Sequence, residues 1–286
     1  MEFVQVDVFA DAAYFGNPLA VFADAEGLGT DQMQKIASEM NLSETTFVIA
    51  ADRDRYSVRI FTPTEELPFA GHPTIGTAWV LLHLGKLVGN ELVQESRAGA
   101  TAVFAADNEL WFARRGESNP DLREAEAGMH KRLARALGVG ESSVGLDAGV
   151  LDGEGTLRPA FANAGLPQLI VPLRDIDVLA RCYPRADLLV DFAGDGVYCF
   201  TATGGGGIRA RGFFPAVGVD EDPATGSACA ALGLYLADRV GPIRTAVEQG
   251  VEMGRPSRLE LDATPGSVEV GGTCVLVLNG ELACLP

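Results

Sequence analysis

Twice along its length the chain spells Arg-x-Phe-x-Pro, then an acidic stretch, then a Gly/Thr-rich turn running into an apolar helix. The first copy is Arg59-Ile-Phe-Thr-Pro63, leading to Phe69-Ala-Gly-His72-Pro-Thr-Ile-Gly76-Thr-Ala78. The second is Arg211-Gly-Phe-Phe-Pro215, leading to Glu221-Asp222-Pro-Ala-Thr225-Gly226-Ser227-Ala228. Arg59 and Arg211 lie 152 residues apart, as do Pro63 and Pro215. Gly16-Asn17-Pro18 sets against Gly165-Leu-Pro167 at an offset of 149, and Thr46-Phe47-Val48 against Cys199-Phe200-Thr201 at 153, which puts Glu44 opposite Val197. An offset held so nearly constant over three blocks reads as an internal duplication. The competing reading is that Gly, Pro and Phe recur at strand ends in any protein. A chain of 286 residues, at about 150 residues per domain, also reads as two domains.

Each half is built mainly of short strands. Phe3 to Phe9 alternates apolar and polar, Leu19 to Phe22 follows a Gly16-Asn17-Pro18 turn, and Glu44 opens Thr45 to Ile49. Asp31 to Met40 is an amphipathic helix with Met33, Ile36, Ala37 and Met40 on one face, and Thr30 is its expected N-cap. The segments from Thr74 and from Ala228 to Val240 are apolar almost all round, so each is expected to be a buried helix threading a curled sheet. Met129 to Leu137 is a second amphipathic helix stopped by Gly138. Gly116 to Glu126 is polar and Pro-bearing, as a linker would be. The pattern predicts an α+β fold of two pseudo-symmetric domains, each a barrel-like antiparallel or mixed sheet around a central helix. The first domain is read as residues 1–117, to which a last strand near 279–286 returns, and the second as 118–278.

Both copies of the motif look like a strand ending in a turn whose free amides open a helix. Four orphan N–H groups and the positive end of the helix dipole attract anions at such a place. Two of them, one from each half, point to a small carboxylate-bearing ligand. The net charge of −17 disfavours nucleic acid and anionic membrane surfaces as partners. No run reaches about 18 apolar residues, and no basic region followed by an apolar run opens the chain; a cytoplasmic location is expected. Five cysteines without a C-x-x-C pair and three histidines indicate neither a disulfide framework nor a metal site. No dinucleotide or P-loop fingerprint occurs, and no cofactor is expected. Gly204 to Gly207 is read as a turn between strands.

Four side chains at the strand-end turns carry the chemistry. Glu44, at a helix-to-strand junction before an apolar strand, is placed for desolvation and hence for proton transfer near neutral pH; a solvated turn glutamate is the alternative. His72, in a Pro-flanked turn, is a catalytic or a packing histidine. Asp222 either orients a substrate or stabilises a helix dipole, and Ser227 either caps its helix or turns its amide toward an anion. Together they describe one acid/base group facing two anion-stabilising turns, where carboxylate charge that grows as a neighbouring carbon loses its proton is worth several kcal/mol of stabilisation.

These blocks closely resemble the PhzF-like family of phenazine-biosynthesis isomerases, within the diaminopimelate-epimerase-like fold. The resemblance runs through Gly16-Asn-Pro-Leu-Ala-Val-Phe22, Met33 to Phe47, Arg59 to Pro63, Glu66 to Pro73, Glu221 to Ala228 and Gln249-Gly-Val-Glu-Met-Gly-Arg-Pro-Ser257. It implies two domains that are each an eight-stranded barrel around a helix, and a homodimer. It maps the catalytic glutamate onto Glu44, the histidine onto His72, and the aspartate and serine onto Asp222 and Ser227. Asn17, Ser43, Gly71 and Gly226 match positions that contact substrate. The implied activity is that of trans-2,3-dihydro-3-hydroxyanthranilate isomerase, a glutamate shuttling a proton between ring carbons. Related epimerases carry two cysteines at the turns where this chain has Ala70 and Pro223. An epimerase or dehydratase of an amino or hydroxy acid, and a non-catalytic small-molecule binder, are the alternatives.

Overall fold

The protein, as a computed structural model, is described over residues 1–115, 123–124, 128–192 and 196–286. The chain divides into two compact units. The first is Met1–Ala113 with Arg255–Arg258 and Gly271–Pro286; the second is Arg114–Gly254 with Leu259–Val270. The linker read at Gly116 to Glu126 lies outside the described residues except for the two-residue strand Arg123–Glu124.

In the first unit one curled ladder of strands wraps a helix. Its members are β1 (Glu2–Val8), β2 (Asn17–Phe22), β3 (Glu44–Asp52), β4 (Arg55–Phe61), β5 (Glu66–Leu67), β6 (Glu91–Ser96), β7 (Gly99–Ala106) and β8 (Glu109–Arg115). The strand Cys274–Glu281 pairs with β1, β1 with β2, and β2 with β3. The ladder continues from β3 to β4, β4 to β6, β6 to β7 and β7 to β8. The pairs β2–β3 and β4–β6 are parallel, which requires crossovers. Helix α1 (Thr30–Met40) makes the first and α2 (Gly71–His83) the second. From Gly71 to Ala78 every residue of α2 is buried, and it packs on β1, β2, β3, β6 and β7. A helix apolar all round has no other place to go. Within that interface Thr46 Oγ1 and Thr77 Oγ1 are 2.9 Å apart.

The N-cap of α1 differs from the expectation. Gly29 occupies it, its N–H donates to Gln32 Oε1 at 3.1 Å, and Thr30 is the first helical residue. The Thr30 hydroxyl instead accepts from Arg59 Nη2 at 2.9 Å, a partner that a local reading of caps does not include.

The second unit repeats the plan. Strand Ala160–Asn163 pairs with Pro167–Pro172, that with Val197–Ala202 in parallel, that with Ile208–Phe214, and that with Ile243–Gln249 in parallel. The short helices Ile176–Ala180 and Ala186–Leu189 lie in the first crossover and the buried helix Gly226–Val240 in the second. Gly204 to Gly207 forms the turn of the hairpin between Val197–Ala202 and Ile208–Phe214.

The repeated Arg-x-Phe has the same physical content in both units. Arg59 Nε and Nη2 donate to the two oxygens of Glu66 at 2.8 and 2.7 Å. Arg211 does the same to Glu221 at 2.8 and 2.9 Å. Residues i and i+2 of a strand share a face, so the guanidinium also lies over the phenyl ring two residues on, at 5.2 Å for Phe61 and 5.0 Å for Phe213. Bidentate pairing and ring stacking both suit arginine and not lysine. Each pair ties the strand before the turn to the acidic strand after it, and thereby sets where the following helix begins. Among the described residues no helix is long and apolar enough to cross a membrane.

Candidate active site

Parallel pairing of β2 with β3 sets Leu19 beside Glu44, so both strands begin at one end of the sheet, with Asn17 opening β2. Helix α2 also starts there. Asn17 Nδ2 lies 3.3 Å from His72 Nδ1, and Glu44 Oε2 lies 3.4 Å from the same nitrogen. Asn17 is fully buried and His72 is 2% exposed. The Glu44 side chain keeps 15% of its surface accessible, so one carboxylate edge is open while the other faces the imidazole. Gly71 is the first, buried residue of α2, and Ser43 stands half-buried beside Glu44. Asn17, Glu44 and His72, far apart in sequence, thus form one cluster.

Burial holds the His72 pKa down at about 3, because an imidazolium in that position would lose its hydration without regaining it. His72 is therefore neutral at physiological pH and has one acceptor and one donor nitrogen. With Asn17 donating to Nδ1, the ring hydrogen sits on Nε2, which meets no hydrogen-bond partner among the described residues. Reaching the other tautomer, with Nδ1–H facing the Glu44 carboxylate across 3.4 Å, takes a proton onto Nδ1 and the release of the one on Nε2.

The same burial couples folding to pH. Unfolded His72 takes up a proton below about 6.5, whereas the folded ring does so only near 3. The stabilisation is complete above pH 6.5 and is lost as pH falls toward 3, to a limit of about 5 kcal/mol. Denaturant unfolding at pH 4.5 should give a stability about 2–3 kcal/mol below the pH 7 value from this group. In His72→Gln that share of the pH dependence should disappear.

In the second unit the equivalent turn presents a different set. Asp222 ends the strand Val219–Asp222 and is 5% exposed. Its Oδ2 accepts from the Thr225 hydroxyl at 2.6 Å. Gln249, fully buried, donates from Nε2 to the Asp222 carbonyl at 2.7 Å and to Thr225 Oγ1 at 3.0 Å. Gln249 Oε1 accepts from the Thr225 amide at 3.1 Å and from the Tyr198 hydroxyl at 2.8 Å. Gly226 and Ser227 are the first residues of the following helix, both buried, and Thr225 is its N-cap without a side-chain cap bond. First-turn amides of a helix have no intrahelical acceptor, so those of Gly226 and Ser227 are available to an anion.

Strand register corrects the assignment of Glu44's counterpart. Phe47 lies opposite Arg59 and Cys199 opposite Arg211, an offset of 152 and not 153. Glu44 therefore corresponds to Gly196, not to Val197. A Cβ on Gly196 would stand 2.0 Å from Phe214 Cδ1, so the ring fills the volume that a side chain would need. Phe214 itself replaces Thr62. The duplicated frame carries a carboxylate in one unit and an aromatic ring packed on glycine in the other.

Several supporting residues escaped the sequence reading. Gln94 Nε2 donates to Thr74 Oγ1 at 2.9 Å and its Oε1 accepts from Tyr56 at 3.1 Å, bracing the start of α2 as Gln249 and Tyr198 brace the later helix. Gln94 and Gln249 are 155 residues apart, the same spacing as Gly71 and Gly226; that offset was the signal available.

Comparison with known proteins identifies the family. The family model for phenazine biosynthesis-like protein, PhzC-PhzF, matches residues 6–280. A trans-2,3-dihydro-3-hydroxyanthranilate isomerase of Pseudomonas fluorescens is 38% identical over 98% of this chain and 98% of its own. The crystal structure of a PhzF-family phenazine biosynthesis protein from Bacillus anthracis superposes with a TM-score of 0.86 at 26% identity, covering 99% of each chain. A probable proline racemase from Agrobacterium radiobacter shares the fold alone, with a TM-score of 0.58 at 13% identity over 99% of this chain and 92% of that one. The chain belongs to the PhzC-PhzF family and is an isomerase with an α+β fold.

Proposed function

We propose that this family member moves a proton between carbons of a small carboxylate-bearing ring substrate, of which trans-2,3-dihydro-3-hydroxyanthranilate is the first to test. Glu44 takes the proton from one carbon and returns it to another. His72, held neutral, orients the carboxyl and relays a proton through Nδ1. Asn17, Ser43, Gly71, Gly226 and Ser227 bind the substrate, the helix-start amides holding its carboxylate as charge builds on it. Asp222 orients an amino or hydroxyl group. The chemistry proceeds without a cofactor, in a cytoplasmic homodimer.

The observation that carries this reading is the cluster in which Asn17 and Glu44 both address His72 Nδ1, at 3.3 and 3.4 Å. It places a partly open carboxylate beside a neutral proton acceptor inside a largely buried frame, which is what a single-residue acid/base shuttle requires. Ala70 and Thr225, the N-cap residues of the two buried helices, leave both helix starts without thiols, which goes against a two-cysteine epimerisation.

Incubation of the purified protein with trans-2,3-dihydro-3-hydroxyanthranilate in deuterated water, followed by NMR, tests the proposal. Consumption of substrate with deuterium entering at ring carbon is the expected result. Binding without turnover would make the protein a small-molecule binder, and formation of a stereoisomer with the double bonds unmoved would make it an epimerase.

A further inference from the structure

The motif Gln249 to Ser257 supplies Gln249 to the second-unit turn, yet nothing in the proposed chemistry uses its arginine. Arg255 makes two contacts with the segment that leads into Asn17 and a third with Asp7. Its Nε donates to the Gly16 carbonyl at 2.8 Å, and its Nη2 donates to the Phe15 carbonyl at 2.8 Å and to Asp7 Oδ1 at 2.7 Å. Asp7 is 1% exposed, and its other oxygen accepts from the Tyr14 amide at 2.5 Å. The Gly16 amide in turn donates to the Pro256 carbonyl at 3.2 Å. One arginine and one buried aspartate thus hold both ends of the Tyr14–Gly16 turn.

That turn does not rest in a relaxed conformation. Tyr14 adopts φ of 72° while 71% exposed, a left-handed backbone that aromatic residues seldom take and that no packing of its own ring rewards. Gly16 adopts φ of 63°, and a Cβ there would lie 2.3 Å from the Val8 carbonyl oxygen. Conformations of this kind persist only where the surroundings over-determine them. Here the surroundings are the guanidinium and the aspartate. The next residue is Asn17, whose amide meets His72 Nδ1.

We propose that Arg255 is a positioning residue: by clamping the Phe15 and Gly16 carbonyls against Asp7 it fixes Asn17, and through Asn17 the tautomer of His72. This rests on the proton-transfer reading above only for its kinetic consequence. The consequence for the resting imidazole holds whatever the protein's substrate.

The test uses two variants. Arg255→Lys keeps a cation opposite Asp7 and loses the forked hold on two carbonyls. The double variant Asp7→Asn/Arg255→Gln removes both charges together, so no buried carboxylate is left uncompensated. The protein has three histidines, and His72→Gln assigns the His72 signals in nitrogen-15 spectra of the full chain. In the wild type the two ring nitrogens of His72 should resonate far apart, as a single tautomer demands. In both variants they should converge as the tautomers mix, with kcat down about 100-fold, the scale of a small misplacement of catalytic groups, and KM changed far less. Wild-type His72 resonances in whichever variants fold would overturn the proposal. A wild type that turns over no substrate would sink the enzymatic reading, while the spectra would still decide the positioning role.

Discussion

Glu44→Gln should lower kcat by about 10³-fold, in the middle of the range for loss of a general base, with unfolding unchanged. The amide keeps the size of the carboxyl and its reach to His72, where Glu44 Oε2 now lies 3.4 Å from Nδ1. It cannot accept a proton. His72 beside it cannot stand in for it: burial holds its pKa near 3, so it is a weak base at neutral pH. Deuterium incorporation from solvent reports the proton transfer itself, apart from binding. His72→Gln leaves the carboxylate in place and should cost less, about 10- to 100-fold. If Glu44→Gln exchanged substrate hydrogen at the wild-type rate, a different base would be at work and the cluster at His72 would be a structural one.

The duplication was legible because its most repeated element is also its most demanding physically. An arginine that must grip a glutamate with two hydrogen bonds and lie over a phenyl ring leaves few substitutions open, so Arg59 and Arg211 stand out in both halves. The two buried helices were legible for a similar reason: their sequences offer no polar face. Less visible were the contacts that build the site. Asn17, Glu44 and His72 converge through a parallel strand pair and a helix start, and parallel pairing has no local signature. The polar braces Tyr56–Gln94 and Tyr198–Gln249 were invisible for the same reason, since each partner alone is an ordinary buried or strand residue. The one-residue error in matching Glu44 arose because glycine at 196 has no side chain to align. Only the register opposite Arg211 shows that Phe214 occupies its space.

The two arginine clamps also differ in a way that yields the largest stability effect expected. Arg211→Met should destabilise the second unit by about 3–5 kcal/mol, the cost of removing one partner from a buried ion pair. Arg59→Met should cost the first unit clearly less. Arg211 is 7% exposed against 25% for Arg59. Besides gripping Glu221, Arg211 Nη1 faces the Leu179 and Cys182 carbonyls at 3.1 and 2.9 Å, closing the C-terminal end of the helix Ile176–Ala180, where a cation is favoured. Methionine leaves those carbonyls and a carboxylate without their donor. Among the described residues Arg59 has no such second task beyond the Thr30 hydroxyl, and after its loss Arg97 still lies 3.1 Å from Glu66. The double change Arg211→Met/Glu221→Met should recover much of the loss, because a buried pair replaced by apolar groups of similar volume is often near neutral. Denaturant unfolding followed with probes in each unit separates the effects, since two units need not unfold as one. Equal costs for the two arginines would mean that the extra carbonyl contacts contribute nothing. The functional consequence follows from register: Gly212 pairs with Asp222, so a strand loosened at Arg211 also loosens the aspartate proposed to orient the substrate. Arg211→Met should therefore raise KM even under conditions where the protein remains folded.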